Sequence, residues 1–164
     1  MDSMKARLTT GVLALLFAAA PARAFADLTA FIGVNPTPSN RVASGFALGM
    51  GLVIVGFEIE YASTAEDELV AAPSLRTGMF NVLLQTPFAV SGVQVYGTVG
   101  GGLYREALGE AHRETHLGTN VGGGVKLTLA GPLRLRLDYR VFLLRGEPLH
   151  ERPQRFYAGL NLAF

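Results

Sequence analysis

Between Pro132 and Leu144 the chain follows a period of two residues. Leu133, Leu135, Leu137, Tyr139, Val141 and Leu143 occupy one set of positions, and Arg134, Arg136, Asp138, Arg140, Phe142 and Leu144 the other. Successive side chains of a β-strand point to opposite faces, so this segment reads as a strand with one apolar and one largely charged face. The last segment repeats the pattern, with Phe156, Ala158, Leu160, Leu162 and Phe164 set against Arg155, Tyr157, Gly159, Asn161 and Ala163. Twenty glycines and eight prolines, spread among short apolar runs, extend the reading to the rest of the chain as strands separated by turns.

The start of the chain fixes the compartment in which those strands are expected to fold. Lys5 and Arg7 precede a mostly apolar run of 13 residues, Leu8 to Ala20, followed by Pro21 and Ala22-Arg23-Ala24. A basic start, a short apolar middle and an A-x-A end describe a secretory signal peptide. The run is well short of the ~20 residues that a membrane-spanning helix needs. A signal peptide over 1–24 and a single domain over 25–164 are expected. Ala24-Phe25-Ala26 fits the cleavage pattern too, so the cut falls after Ala24 or after Ala26.

Beyond that segment no stretch offers a transmembrane helix, because uncharged runs such as Phe80 to Tyr104 are broken by glycine and proline. Yet 49% of the chain is hydrophobic and only 16% is charged, against about 25% charged in an ordinary soluble domain. Only helices and closed barrels satisfy their backbone groups in lipid. An exported, apolar chain without such a helix is therefore expected to form a barrel in an outer membrane. With no cysteine there is no disulfide framework. A net charge of +1 without a long basic tract gives no case for nucleic acid.

Strands are expected near 26–34, 44–53, 54–63, 74–85, 92–105, 116–129, 132–145 and 154–164. The weakest boundary is Val53-Ile54-Val55, where no turn residue lies nearer than Gly51 and Gly56; one bent strand there would leave an odd number. Even numbers are the rule for single-chain bacterial barrels, which favours an all-β, eight-stranded antiparallel up-and-down transmembrane β-barrel. The connections 35–43, 64–73, 106–115 and 146–153 are polar, and those between them are shorter. Short turns at one end and longer loops at the other match the periplasmic and extracellular ends of such a barrel.

Alternation alone does not separate a membrane barrel from a soluble one; the sign of each face does. Glu58 and Glu60 share one face of the third strand, and Arg134, Arg136, Asp138 and Arg140 one face of the seventh. In a ring of eight these strands stand diametrically opposite, and a barrel of that size is narrow enough for side chains to fill. Unpaired buried charge is very costly. An inward reading therefore has the carboxylates meet the guanidiniums across the lumen, joined by Lys126 and Arg155 from the strands flanking the seventh. The glycine runs Gly97 to Gly102 and Gly118 to Gly124 suit the tight curvature of a small barrel; neither has the spacing of a phosphate-binding loop.

These segments resemble the small outer-membrane β-barrels of the OmpA/OmpX-like and opacity-protein type. The resemblance is carried by the signal peptide, Val125-Lys126-Leu127-Thr128-Leu129, Arg134-Leu135-Arg136-Leu137-Asp138-Tyr139-Arg140 and the ending Tyr157 to Phe164. It implies an insertion signal formed by Phe156, Leu160, Leu162 and Phe164, read by the barrel insertion machinery, with Ala158 smaller than usual in that pattern. It also implies outer-membrane lipid and lipopolysaccharide as surroundings. The fold hosts adhesins, anchors, small pores and lipid enzymes alike, so function must come from the site.

Candidate chemistry is sparse. No cofactor motif is present, and no metal site is expected. His112 and His116 could put two imidazoles on one face, but H-R-E-T-H is not H-E-x-x-H and falls where a loop is expected. Glu66-Asp67-Glu68 reads as a solvated acidic loop. A lipid-cleaving barrel would need a serine and a histidine together with an orienting carboxylate. The serines at 39, 44, 63, 74 and 91 are all more than two residues from a histidine, with Ser74 and His116 the pair that folding could bring to one rim. The expected function is a non-enzymatic structural or surface-interaction role. A small-solute pore and a soluble periplasmic lipid-binding barrel with inverted faces are the alternatives.

Overall fold

The computed structural model describes residues 24–109 and 112–164; the expected signal peptide, apart from Ala24, lies outside them. Eight strands form one closed antiparallel barrel, each paired with its neighbours in chain order and β1 closing on β8. They are β1 (Ala24–Asn35), β2 (Arg41–Leu52), β3 (Val55–Thr64), β4 (Ser74–Gln85), β5 (Val93–Leu108), β6 (His112–Ala130), β7 (Leu133–Leu144) and β8 (Gln154–Ala163). A short 3₁₀ turn, Glu68–Val70, sits in the loop between β3 and β4.

The break between β2 and β3 is a two-residue hairpin in which Leu52 pairs with Val55. Val53 takes φ 33°, a left-handed conformation that a β-branched residue disfavours. The ladder explains why it does so. Ten pairs from Leu52↔Val55 to Ala43↔Thr64 hold the register, and a one-residue slip would turn every charge of β3 into lipid.

One expected loop is strand over most of its described length. Within the polar stretch 106–115, residues 106–108 and 112–115 continue the β5–β6 ladder, with Glu106↔Glu114, Ala107↔Arg113 and Leu108↔His112. Its charges suggested a connection, but the in–out alternation runs on through them. Glu106 and Glu114 accept the backbone N–H groups of Leu149 and Glu147 from the β7–β8 loop, each at 2.8 and 2.7 Å respectively. The two longest strands thus stand above the rim and hold that loop.

Outward positions are apolar over most of the wall, with Ile32, Phe46, Leu48, Ile59, Phe80, Val99, Leu103, Leu137 and Leu160 all exposed. Aromatic pairs directly across the ladder stiffen it: Phe46 against Tyr61, with ring centroids 5.7 Å apart, and Tyr139 against Phe156 at 4.3 Å. Inward positions carry the polar and charged residues, among them Glu58, Glu60, Asn81, Asn120, Arg136 and Arg140. These are the faces of a membrane barrel, and the reverse of what a soluble lipid-binding barrel requires.

Glycines on the inner wall give room to long side chains from adjacent strands. A Cβ at Gly124 would meet the Leu137 backbone carbonyl first and lie 2.5 Å from the Tyr96 hydroxyl, whereas one at Gly97, on the outer wall, would meet nothing nearer than 4.0 Å. Gly124→Val is therefore expected to destabilise the barrel by about 1–3 kcal/mol through overpacking, and Gly97→Val to cost far less. Unfolding free energies in detergent check this; equal losses would mean the lumen is less tightly filled than its geometry requires.

Candidate functional site

The lumen is the most chemically elaborate region of the molecule. Halfway along it, Glu58 of β3 reaches across to β7. Its carboxylate accepts from Arg136 and, at 2.8 Å, from Arg140. Asp138 lies between these two arginines on the same face of β7, 2.9 Å from Arg140 Nε and 3.1 Å from Arg136 Nη2. Glu60, one inward position above Glu58, pairs with Arg140 at 3.1 Å and with Arg155 of β8. Three carboxylates and three guanidiniums thus form one connected cluster in which each guanidinium touches at least one carboxylate. All six side chains are almost completely buried.

Neutral donors and aromatic faces complete the cluster. The Tyr96 hydroxyl donates to Asp138 and accepts from Arg136 Nε at 2.7 Å. Asn81 donates to Glu58 at 3.3 Å and accepts from Asn120 at 2.9 Å. The Arg136 guanidinium sits 4.8 Å from the centre of the Tyr96 ring, and that of Arg155 the same distance from Phe142. Buried ions are held best when hydrogen bonds add to what the opposite charges supply; these side chains supply part of that, and Arg155 Nε stays without a hydrogen-bond partner among the described residues.

Nearer the short-turn end Lys126 pairs with Asp27 of β1 at 2.8 Å. Asp27 was not singled out in the sequence. Its position two residues before Thr29 and four before Phe31, on the inward set of β1, is the signal that places it in the lumen.

Arg134 departs from the expectation that it faces Glu58 and Glu60. It is half-buried and donates to Gln94 at 3.4 Å, with no carboxylate partner among the described residues. Inward neighbours along a strand are about 6.6 Å apart. Arg134 therefore sits one step below Arg136, too near the barrel mouth to reach β3. It lines, with Lys126, Asp27 and Gln85, a polar recess of about 240 Å³.

At the opposite rim the remaining candidates separate. His112 and His116 lie on β6 rather than in a loop, and His112 Nε2 is 3.5 Å from Glu106. Ser74 donates to the Ala107 carbonyl at 3.1 Å. Asp67 caps the 3₁₀ turn by accepting from Leu69 N–H, and Glu66 accepts from Gly109 N–H. Among the described residues no three His, Asp or Glu side chains gather as a metal site would require.

The closed eight-stranded barrel matches solved structures in fold. Neisserial surface protein A superimposes with a TM-score of 0.65 at 17% identity, over 86% of this chain and 96% of that one. This is the fold of the small outer-membrane β-barrels. The N-terminal β-barrel domain of Pseudomonas aeruginosa OprF gives 0.59 at 16% identity, over 85% and 97%. The outer membrane enzyme PagL gives 0.52 at 11% identity, over 83% and 98%. No family model and no curated protein matches the chain. The small barrel therefore shares its architecture with proteins of different activity, and its own chemistry rests on the lumen and the rim.

Proposed function

We propose that the chain is exported, loses the segment 1–24 and resides in the outer membrane as a closed barrel with a structural or surface-interaction role. The observation that carries this reading is the cluster of Glu58, Glu60, Asp138, Arg136, Arg140 and Arg155, which spans the lumen from β3 to β7 and β8. A charge-balanced plug of buried ions leaves solute no route through the centre. The outward residues of β8, Phe156, Leu160 and Leu162, together with Phe164, are those the insertion machinery would read. Surrounding lipid and lipopolysaccharide are the expected partners at the wall.

The role is proposed as non-enzymatic because Ser74, the serine best placed at the rim, donates to a backbone carbonyl. The fold by itself is neutral on this point, since a lipid enzyme can be built on it.

Cell fractionation, gel migration with and without heating, and single-channel recording test the reading together. The protein is expected in the outer-membrane fraction, migrating as a compact band that shifts on boiling, and producing no steady conductance in planar bilayers. Recovery in a soluble fraction without detergent would overturn the membrane assignment. Steady single-channel currents from the wild type would replace the closed barrel with a small pore.

A further inference from the structure

The outer wall near the loop end carries a feature that the closed-barrel reading does not use. Arg76 of β4 and Arg105 of β5 are paired directly across the ladder, and both point outward and are exposed. Like charges placed opposite one another on one sheet face repel. Neither has a carboxylate partner among the ion pairs of the described residues. The same rung continues on both sides, with Ser63 of β3 opposite Arg76 and Thr115 of β6 opposite Arg105. Four adjacent strands, about 14 Å across, thus present two guanidiniums flanked by two hydroxyls.

The next outward rung toward the barrel middle is Tyr61, Gly78, Leu103 and Leu117. It is apolar but for one phenol, and Phe80 follows below Gly78. A Cβ at Gly78 would have no atom within 4 Å, which leaves a shallow gap between Tyr61 and Leu103 directly beneath the two arginines. By contrast, the short-turn end exposes Val53, Ile54, Phe88, Val90 and Leu129, and its charged residues Asp27, Lys126 and Arg134 are buried or half-buried.

We infer that the Ser63–Arg76–Arg105–Thr115 rung is a binding site for the phosphate of a phosphorylated lipid headgroup in the leaflet at the loop end, with an acyl chain lying over Gly78. The inference rests on the outer-membrane reading above. Guanidinium forks match phosphate oxygens in bidentate geometry, and a bound phosphate would relieve the repulsion between the two arginines. Position selects a lipid over an acidic protein. The rung lies flush with the lipid-facing wall rather than on the loops, so its ligand must carry an apolar part alongside its anionic one. With the longer loops outside the cell, the phosphate-bearing lipid of that leaflet is lipid A, the anchor of lipopolysaccharide.

The test uses the full chain folded in detergent and native mass spectrometry with bisphosphorylated lipid A, dephosphorylated lipid A or inorganic phosphate. R76Q/R105Q is compared with wild type, and R145Q/R152Q, which removes the same charge from an exposed loop, serves as the control. Wild type is expected to prefer the phosphorylated lipid. R76Q/R105Q should weaken binding at least about tenfold through loss of charge-assisted hydrogen bonds, and R145Q/R152Q should leave it within about twofold. R76K/R105K retains charge without the fork and should bind with intermediate strength; it also serves if the glutamine pair fails to fold. Equal binding by wild type and R76Q/R105Q, or equal loss in R145Q/R152Q, would overturn the site. Indifference to the lipid's phosphates would overturn the chemistry, and inorganic phosphate binding as tightly as the lipid would overturn the lipid as its source. Failure of the outer-membrane reading is distinguishable, because it would appear as wild-type protein that is folded and soluble without detergent.

Discussion

Glu58→Gln is expected to cost the folded barrel about 3–5 kcal/mol, the range for removing one partner of a buried ion pair. The carboxylate accepts from both Arg136 and Arg140. Its replacement by an amide leaves Arg136 with Asp138, and Arg140 with Asp138 and Glu60, so three buried guanidiniums share two carboxylates. The amide is close in size, and packing changes little; the loss is electrostatic. A double-mutant cycle pairing Glu58→Gln with Arg136→Gln and, separately, with Arg140→Gln should give coupling of about 0.5–3 kcal/mol in each case. Arg134→Gln is the internal control, because Arg134 donates to Gln94 and not to a carboxylate. Coupling near zero for all three would mean that lumen water, not the opposite wall, solvates the charges. The plug would then be absent, and conductance should be found.

Leu137→Arg is expected to destabilise by about 2–4 kcal/mol, the range for a basic side chain at the bilayer midplane. Leu137 lies near the middle of β7 and faces outward, with Ala158 opposite on β8 and Val125 opposite on β6. A guanidinium there has no partner on the wall, and must snorkel past several apolar rungs to reach water. Leu69→Arg provides the comparison, since Leu69 is 97% exposed in the β3–β4 loop and the change should cost little. Unfolding free energy in detergent or lipid vesicles reads both. Equal effects would show that the outer wall of β7 does not meet lipid.

The interior of the barrel also explains why its charges are arranged as they are. Asp138 sits between Arg136 and Arg140 on one strand face, which lets two like charges approach without an uncompensated repulsion. Glu58 and Glu60 then tie this strand to the opposite wall. Ionic contacts across a lumen have a geometric consequence that apolar packing lacks: they are satisfied in one register of β3 against β7 and broken in any other. The same cluster that closes the lumen therefore helps define the strand register.

The amino-acid sequence by itself determined the architecture. Period-two alternation in 132–144 and 154–164, charges confined to one face, and the rule that single-chain bacterial barrels have even strand numbers led to an eight-stranded barrel with apolar residues outward. That much is legible because in–out alternation is a local property, written every second residue along each strand. The sequence also marked Glu58, Glu60, Lys126, Arg136, Asp138, Arg140 and Arg155 as lumen candidates from face parity. It did not contain their heights. Strand tilt and stagger set which rung of one wall meets which rung of another, and these depend on closure of β1 against β8. That is why Arg134, of the same parity as Arg136, ends at the mouth beside Gln94, and why Asp27 from the first strand is the partner of Lys126 from the sixth. The same limit hid the extension of β5 to Leu108 and the start of β6 at His112, where cross-strand pairing outweighs a composition that looks like a loop. The Val53-Ile54 connection followed from the rule of even strand number and not from a turn residue, and the ladder on both sides holds Val53 there against the residue's own preference. The outward rung of Ser63, Arg76, Arg105 and Thr115 joins residues from four strands that only the register brings level. Local alternation decides which side of the wall a residue takes, and the closed ladder of hydrogen bonds decides which residues share a level.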